Sequence, residues 1–248
     1  MEAKTVAKGT AMFKNGLKLQ WLGHAAFKIT TPGGKVIYID PWLDNPSAPQ
    51  DAKQVDRADI IIVTHGHFDH IGNTVDIAKS TNAKVISNFE VSLFLKSKGV
   101  PENNLIGINT SGSVEVEGIK MTMVYADHSS GITDGDLVIN GGTAAGFVIR
   151  LENGYTLYDT GDTGIFSDMR LIAKLYKPRT VMLCIGGFYT MGPFEAAEAV
   201  KMLKPNVVVP MHYGTFPILS GTPEALRKLI PRSVKTKVAA PKPGEILE

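Results

Sequence analysis

The sequence predicts one mixed α/β domain, and three observations carry that prediction. First, 248 residues are enough for a single large hydrophobic core, and no linker-like stretch divides 1–248. Second, the chain reads as strand-rich at the start and then as alternating helix and strand. Third, polar side chains able to bind metal recur immediately after apolar runs, at His65 to His70, at His128, at Asp162 and at His212. Strand ends along one edge of packed sheets lie together, so such residues can converge from distant parts of the chain.

Taken in order, residues 17–22 alternate and give way to Gly23-His24, then 26–30 and 36–40 follow across the turn Pro32-Gly33-Gly34. These read as successive antiparallel strands. A Pro-, Asn-, Asp- and Ser-rich loop covers 44–51. Residues 59–64 form a continuous apolar, β-branched run, the pattern of a strand buried on both faces. Ile71, Val75 and Ala78 have helical spacing, with an end near Thr81-Asn82; 85–87 is a short strand; 90–98 is a helix stopped by Gly99 and Pro101. Runs 114–116 and 119–124 flank Glu117-Gly118 as a hairpin, and 129–145 reads as a Gly-, Asp- and Thr-rich loop long enough to cover a site. Residues 147–151 and 155–158 form another hairpin around Glu152-Asn153-Gly154. A helix at 166–175, a buried strand at 180–185, a helix at 193–203, a strand at 207–209 and a helix at 222–230 complete the chain.

Hydrophobic content of 44% and charged content of 20% are those of an ordinary globular protein. The net charge of +2 and the lack of a basic stripe in the sequence argue against nucleic acid or an acidic membrane surface as partner. The single cysteine, Cys184, excludes an intrachain disulfide and sits in an apolar run as a small hydrophobe. No run reaches the roughly 18 apolar residues of a spanning helix, and the N-terminal 16 residues have no apolar core of signal-peptide length. The expected location is the cytoplasm.

The stretch His65-Gly66-His67-Phe68-Asp69-His70 holds three of the six histidines. In extended backbone, side chains two apart point the same way, so His65 and His67 can reach one metal ion. Asp69 and His70 follow where a helix begins, and a carboxylate is favoured at that end. Phe68 is expected to pack away from the ions.

These residues, followed by Asp127-His128, Gly161-Asp162-Thr163 and a late His212, resemble the metallo-β-lactamase superfamily over nearly the whole chain. Trp21-Leu22-Gly23-His24-Ala25, His128-Ser129-Ser130-Gly131, Gly161-Asp162-Thr163-Gly164 and Met211-His212-Tyr213 resemble a narrower branch, that of the ascorbate-6-phosphate lactonase-like proteins and other metal-dependent hydrolases. The resemblance implies a four-layer αββα sandwich with the site at one edge of two sheets. It implies two divalent metal ions, with Zn favoured and Mn, Fe or Ni accepted by similar ligands. His65, His67 and His128 would hold the first ion, Asp69, His70 and His212 the second, and Asp162 would bridge. Asp69 is also a candidate catalytic group.

His24 lies outside that ligand set. It either lines the site and stabilises an oxyanion or leaving group, or is a core histidine bonded to backbone. Asp40 either orients a ligand histidine or forms a turn before Pro41. Asp159 could be mistaken for the bridge, but the Gly161-Asp162-Thr163 context selects Asp162. Ser129, Ser130, Tyr189 and Tyr213 are candidate pocket residues, and Gly186-Gly187 permits a close backbone approach.

Two ions, two aspartates and a bridging hydroxide leave the site with a charge of about +1, which favours a small-molecule substrate with a carbonyl or phosphoryl oxygen and an anionic group. The function expected is therefore hydrolysis of an ester, lactone or phosphoester by metal-bound hydroxide, in a protein that can form a homo-oligomer. A metal-dependent nuclease and a non-catalytic metal-binding scaffold are the alternatives. The absence of an inserted domain and of basic character disfavours the first, and the completeness of the ligand set disfavours the second.

Overall fold

The computed structural model describes residues 12–13 and 16–248. The reading of the N-terminus as lacking a signal-type core falls largely on 1–11 and 14–15, outside the described residues. Strands β1 (Lys18–Trp21), β2 (Phe27–Thr30), β3 (Val36–Ile39), β4 (Ile60–Ile62), β5 (Lys84–Asn88) and β6 (Leu105–Ile108) open the chain, with helices α1 (Phe68–Ile71), α2 (Thr74–Thr81) and α3 (Phe89–Ser97) between the later ones. There follow β7 (Ser113–Val116), β8 (Ile119–Tyr125), β9 (Gly131–Asp134), β10 (Leu137–Asn140), β11 (Ala145–Arg150) and β12 (Thr156–Asp159). Helix α4 (Met169–Tyr176), β13 (Thr180–Cys184), α5 (Pro193–Leu203), β14 (Val207–Met211), α6 (Pro223–Leu229), β15 (Lys237–Val238) and β16 (Ile246–Leu247) complete it.

Two seven-stranded sheets result, in the orders β16-β1-β2-β3-β4-β5-β6 and β15-β14-β13-β12-β11-β8-β7. The expected antiparallel start is present, β1 pairing β2 and β2 pairing β3. The run at 59–64 becomes β4, held between parallel neighbours β3 and β5. Alternation along it assigns each face to a layer. Ile60 and Ile62 join the core shared with the second sheet, whereas Ile61 and Val63 join an outer core with Ile77 and Ala78 of α2 and Val91 and Leu95 of α3. On the second sheet, Val181 and Leu183 lie in a core with Ile172 of α4, Ala196 and Val200 of α5 and Leu226 of α6. The layers are therefore helix, sheet, sheet, helix, as expected.

Three local expectations differ from the structure. The helix expected to run from Ile71 to Thr81 is two helices, because the chain turns at Gly72, with a φ of 41°, and the next N–H, that of Asn73, leaves the helix for the Pro41 carbonyl at 2.9 Å. The loop at 129–145 contains the hairpin β9–β10, with Leu137 facing Asp134 and Asn140 facing Gly131. Strands β6, β15 and β16 were not expected; they are sheet-flanking pieces whose sequences lack a clean alternation. Among the described residues no helix is long and apolar enough to cross a membrane.

Candidate metal centre

The site forms where strands of both sheets end. His24 sits in the β1–β2 turn, Asp40 follows β3, His65 follows β4, His128 follows β8, Asp162 follows β12 and His212 follows β14. Backbone bonds tie the two sheets at this edge, the His212 N–H donating to the His24 carbonyl at 2.8 Å and the Ala145 N–H to the Thr64 carbonyl at 3.2 Å. His24, Asp40 and His212 have left-handed backbone, with φ of 51°, 43° and 56°. Each such residue reverses the chain sharply at a strand end and so turns its side chain towards the shared edge.

Asp162 is the hub. Its Oδ2 lies 2.9 Å from His212 Nε2, 3.3 Å from His70 Nε2 and 3.7 Å from His128 Nε2. Asp69 Oδ2 lies 3.8 Å from His212 Nε2 and 3.9 Å from His70 Nε2. His65 Nε2 and His67 Nδ1 are 3.0 Å apart, and the ring atoms of His65, His67 and His128 are close enough to share one ion. All seven side chains expected to act on metal thus meet at one place. Asp159 does not join them. It accepts the Gly161 N–H at 2.7 Å, and burial, then the nearby Asp40, push its carboxyl well above the ordinary carboxylate range.

Asp40 performs both jobs considered for it. It makes the left-handed turn before Pro41, and its carboxylate anchors two histidines of the cluster. Oδ2 lies 2.6 Å from His70 Nδ1 and accepts the Thr64 hydroxyl at 2.6 Å, while Oδ1 accepts the Thr64 N–H at 2.8 Å. Because the Thr64 proton goes to Asp40, the hydroxyl oxygen is left to accept from His65 Nδ1 at 3.0 Å. One carboxylate therefore fixes the tautomers of two histidines and turns both Nε2 atoms to the centre.

The donor set fits divalent cations. Among the described residues His70 Nε2 and Asp162 Oδ1 are buried without a hydrogen-bond partner, and such orphans cost free energy unless something else meets them. Burial, and next the charge of His70, drive His65 well below its ordinary value, and burial likewise lowers His67 and His128, so all three present neutral imidazole. Burial, the largest cause, opposes charge on His70 and His212 also, but the surrounding carboxylates together outweigh it, Asp162 with Asp40 and Asp69 raising His70 well above its ordinary value and Asp162 with Asp69 raising His212 to about 9. Where the carboxylates lack a cation, these two imidazoliums supply one.

His24 does not reach the cavity. Its side chain is 0% exposed, with Nε2 at 2.9 Å from Asp69 Oδ2 and Nδ1 at 2.9 Å from Thr215 Oγ1. It is bonded to side chains, which neither reading of it from sequence foresaw. Ser129 lines the cavity, its Oγ 3.3 Å from His67 Nε2, and so does Tyr189. Ser130 is buried and structural, accepting the Gly66 N–H and donating to the Gly141 carbonyl. Tyr213 stacks on Trp21 at 5.0 Å instead of facing the centre. A side chain on Gly186 would collide with the His212 carbonyl, so that glycine makes room for the backbone of His212.

The cavity over the cluster has a volume of about 690 Å³. Phe68 lines it beside His67 and Asp69, 62% exposed, and this corrects the expectation that it packs away. Phe216 and Ile218 were missed altogether; they lie more than 140 residues from the histidine motif and carry no local signal. Among the described residues no Lys or Arg contributes to the lining. Basic residues concentrate elsewhere: Arg170, Lys174, Lys177, Arg179, Lys201 and Lys204 line a second cavity, of about 790 Å³. Arg179 immediately precedes β13, so this face lies at the opposite end of the parallel strands from Asp162 and His212. A basic patch therefore does exist, contrary to expectation, but at the other end of the parallel strands from the histidine–aspartate cluster and around the ends of α4 and α5, where cations at the C-termini complement the helix dipoles.

The sequence comparisons agree with this architecture. The model of the β-lactamase superfamily domain matches residues 18–212. A UPF0173 metal-dependent hydrolase of Roseiflexus castenholzii is 48% identical over 232 residues, 92% of this chain and 95% of that protein. One of Methanosarcina mazei is 46% identical, over 94% of this chain and 98% of its own length. Among solved structures, Igni18, a metallo hydrolase of the archaeon Ignicoccus hospitalis, superposes with a TM-score of 0.82 at 35% identity, covering 93% of this chain and 97% of Igni18.

Proposed function

We propose that this chain, which belongs to the metallo-β-lactamase superfamily, is a metal-dependent hydrolase that cleaves an ester or lactone, with residues 1–248 as one catalytic domain. The observation that carries the reading is the hub at Asp162, whose Oδ2 lies within 3.7 Å of three imidazoles while its Oδ1 is buried without a partner. His65, His67 and His128 would hold one divalent ion and Asp69, His70 and His212 a second, with Asp162 between them. Ions held there supply a Lewis acid and lower the pKa of water towards about 7.

The chain's own residues do the rest. Asp40 and Thr64 hold His65 and His70 in the tautomers that offer Nε2 inward. His24 is kept neutral by burial, its value lowered to about 4, so it donates Nε2–H to Asp69 and accepts from Thr215 at Nδ1. Asp69 lines the cavity and is held deprotonated; burial opposes this, but His70, His212 and His24 outweigh it. It is the carboxylate placed to take a proton from water and return it to the leaving group. The lone buried Cys184 accords with a reducing, cytoplasmic setting.

The test is a hydrolysis panel of esters, lactones and phosphodiesters with metal-loaded wild type and His67→Ala. Wild type should turn over esters or lactones, and the variant should lose both hydrolysis and bound metal while keeping its circular dichroism. Full activity in chelator-stripped protein would refute the reading.

A further inference from the structure

We propose that the substrate is an uncharged ester or lactone bearing an aromatic or medium-chain apolar group, seated on a wall made by Phe68, Phe216 and Ile218. This rests on the hydrolase reading and narrows it, replacing the anionic substrate expected from charge bookkeeping.

A cavity of about 690 Å³ is within the range of small-molecule sites. Its floor is the polar cluster, but its walls are apolar and open to solvent: Phe68 is 62% exposed, Tyr189 56% and Ile218 44%. Large apolar groups left exposed beside a reactive centre are informative, because leaving them wet costs free energy that a bound apolar group recovers.

The wall is also rigid. Trp42 packs against Phe68 at 5.5 Å, edge to face, and against Phe216 at 6.0 Å, stacked. Trp42 in turn meets the buried His24 ring at 5.2 Å. Phe68 and Phe216, 148 positions apart, are thereby held on one support, and a wall already in place loses little entropy on binding.

Charge makes the complementary argument. Recognition of phosphate or carboxylate groups ordinarily uses Arg or Lys, and among the described residues neither lines this cavity. The lining does include Asp69 and Asp162, which repel any anionic group not held directly by the ions. Ser129 and Thr133 offer hydroxyls, suited to a neutral oxygen. In the reaction, the oxygen of water bonds to the acyl carbon, the acyl C–O bond breaks, and the departing alkoxide takes the proton that water gives up. Acid and alcohol result, with no other reactant.

The experiment compares methyl acetate, methyl hexanoate, hexyl acetate and monomethyl adipate by pH-stat with metal-loaded protein. Methyl hexanoate and monomethyl adipate differ only in a terminal methyl against a carboxylate. Each fully buried methylene is worth about fourfold in kcat/KM, so methyl hexanoate or hexyl acetate should exceed methyl acetate at least tenfold. Methyl hexanoate should exceed monomethyl adipate similarly. In a Phe68→Ala, Phe216→Ala double variant the ratio of long to short ester should fall towards one. A preference for the adipate, a flat chain-length series in wild type, or a ratio unmoved in the double variant overturns the proposal while the hydrolase reading stands. Loss of self-association in the variant with that ratio unmoved would assign the wall to a second copy of the chain. If no ester or lactone is cleaved, the hydrolase reading itself fails. Fluorescence of Trp42 in a Trp21→Phe background then decides the wall independently: tighter binding of hexanoate than of acetate or inorganic phosphate supports it, and tighter binding of phosphate overturns it.

Discussion

His24 Nε2 lies 2.9 Å from Asp69 Oδ2, and its other ring nitrogen lies 2.9 Å from Thr215 Oγ1. The buried imidazole therefore joins a loop residue of the second half of the chain to a candidate ligand of the first, and aims the carboxylate without touching the cavity. His24→Asn tolerates the φ of 51° but cannot span both partners. Metal affinity should fall about 10–100-fold, read by competition with a chromophoric chelator, while Thr215→Val should give a smaller loss. Unchanged affinity in His24→Asn would show that Asp69 needs no support.

Asp40 accepts from Thr64 twice and bonds His70. Asp40→Asn keeps the left-handed turn but presents a donor where Oδ2 accepted from two groups. Stability of the chelator-treated protein should fall by about 1.5–3 kcal/mol, seen as a lower urea midpoint at unchanged m-value. Metal affinity should drop as well, since His65 and His70 lose their common anchor. A variant matching wild type in both would make Asp40 only a turn former.

Gly161 combines a φ of 57° with a position where a Cβ would lie 2.5 Å from the Ala145 carbonyl oxygen. Gly161→Ala should destabilise the fold by at least about 1–2 kcal/mol from the left-handed backbone alone. Because Asp162 is the next residue, metal retention on gel filtration should fall too. Thermal unfolding that overlays wild type would contradict both expectations.

Burial pushes the Cys184 thiol up to about 12, with the nearby Asp162 adding to the shift. A raised thiol value means that the neutral form persists through pH 8–9, where a free cysteine is substantially thiolate. Alkylation by iodoacetamide should therefore be slow and nearly flat over that range in the native protein, and fast after unfolding in urea. Fast native labelling that rises between pH 7 and 9 would place the thiol at the surface.

Much of this architecture was readable because it rests on local pattern. The β-branched run at 59–64, the hairpin turns at Glu117-Gly118 and Glu152-Asn153-Gly154, and the motif from His65 to His70 each carry their signal within a few residues. Strands β15 and β16 do not. Each is two residues long and exists because a sheet edge is there to pair with. Long-range pairings were likewise invisible, among them Thr215 under His24 and Phe216 beside Phe68 on Trp42. Phe68 was misplaced for a physical reason: in a helix one turn long, a large apolar residue between two candidate ligands cannot point far from them.

The number of bound ions tests the two-metal assignment most directly. Plasma mass spectrometry of desalted, metal-reconstituted protein, set against amino-acid analysis of the same sample, should return two divalent ions per chain for wild type and a clear deficit for His67→Ala. A wild-type value near zero, or an undiminished value in the variant, would contradict the assignment of this histidine–aspartate cluster as a two-metal centre.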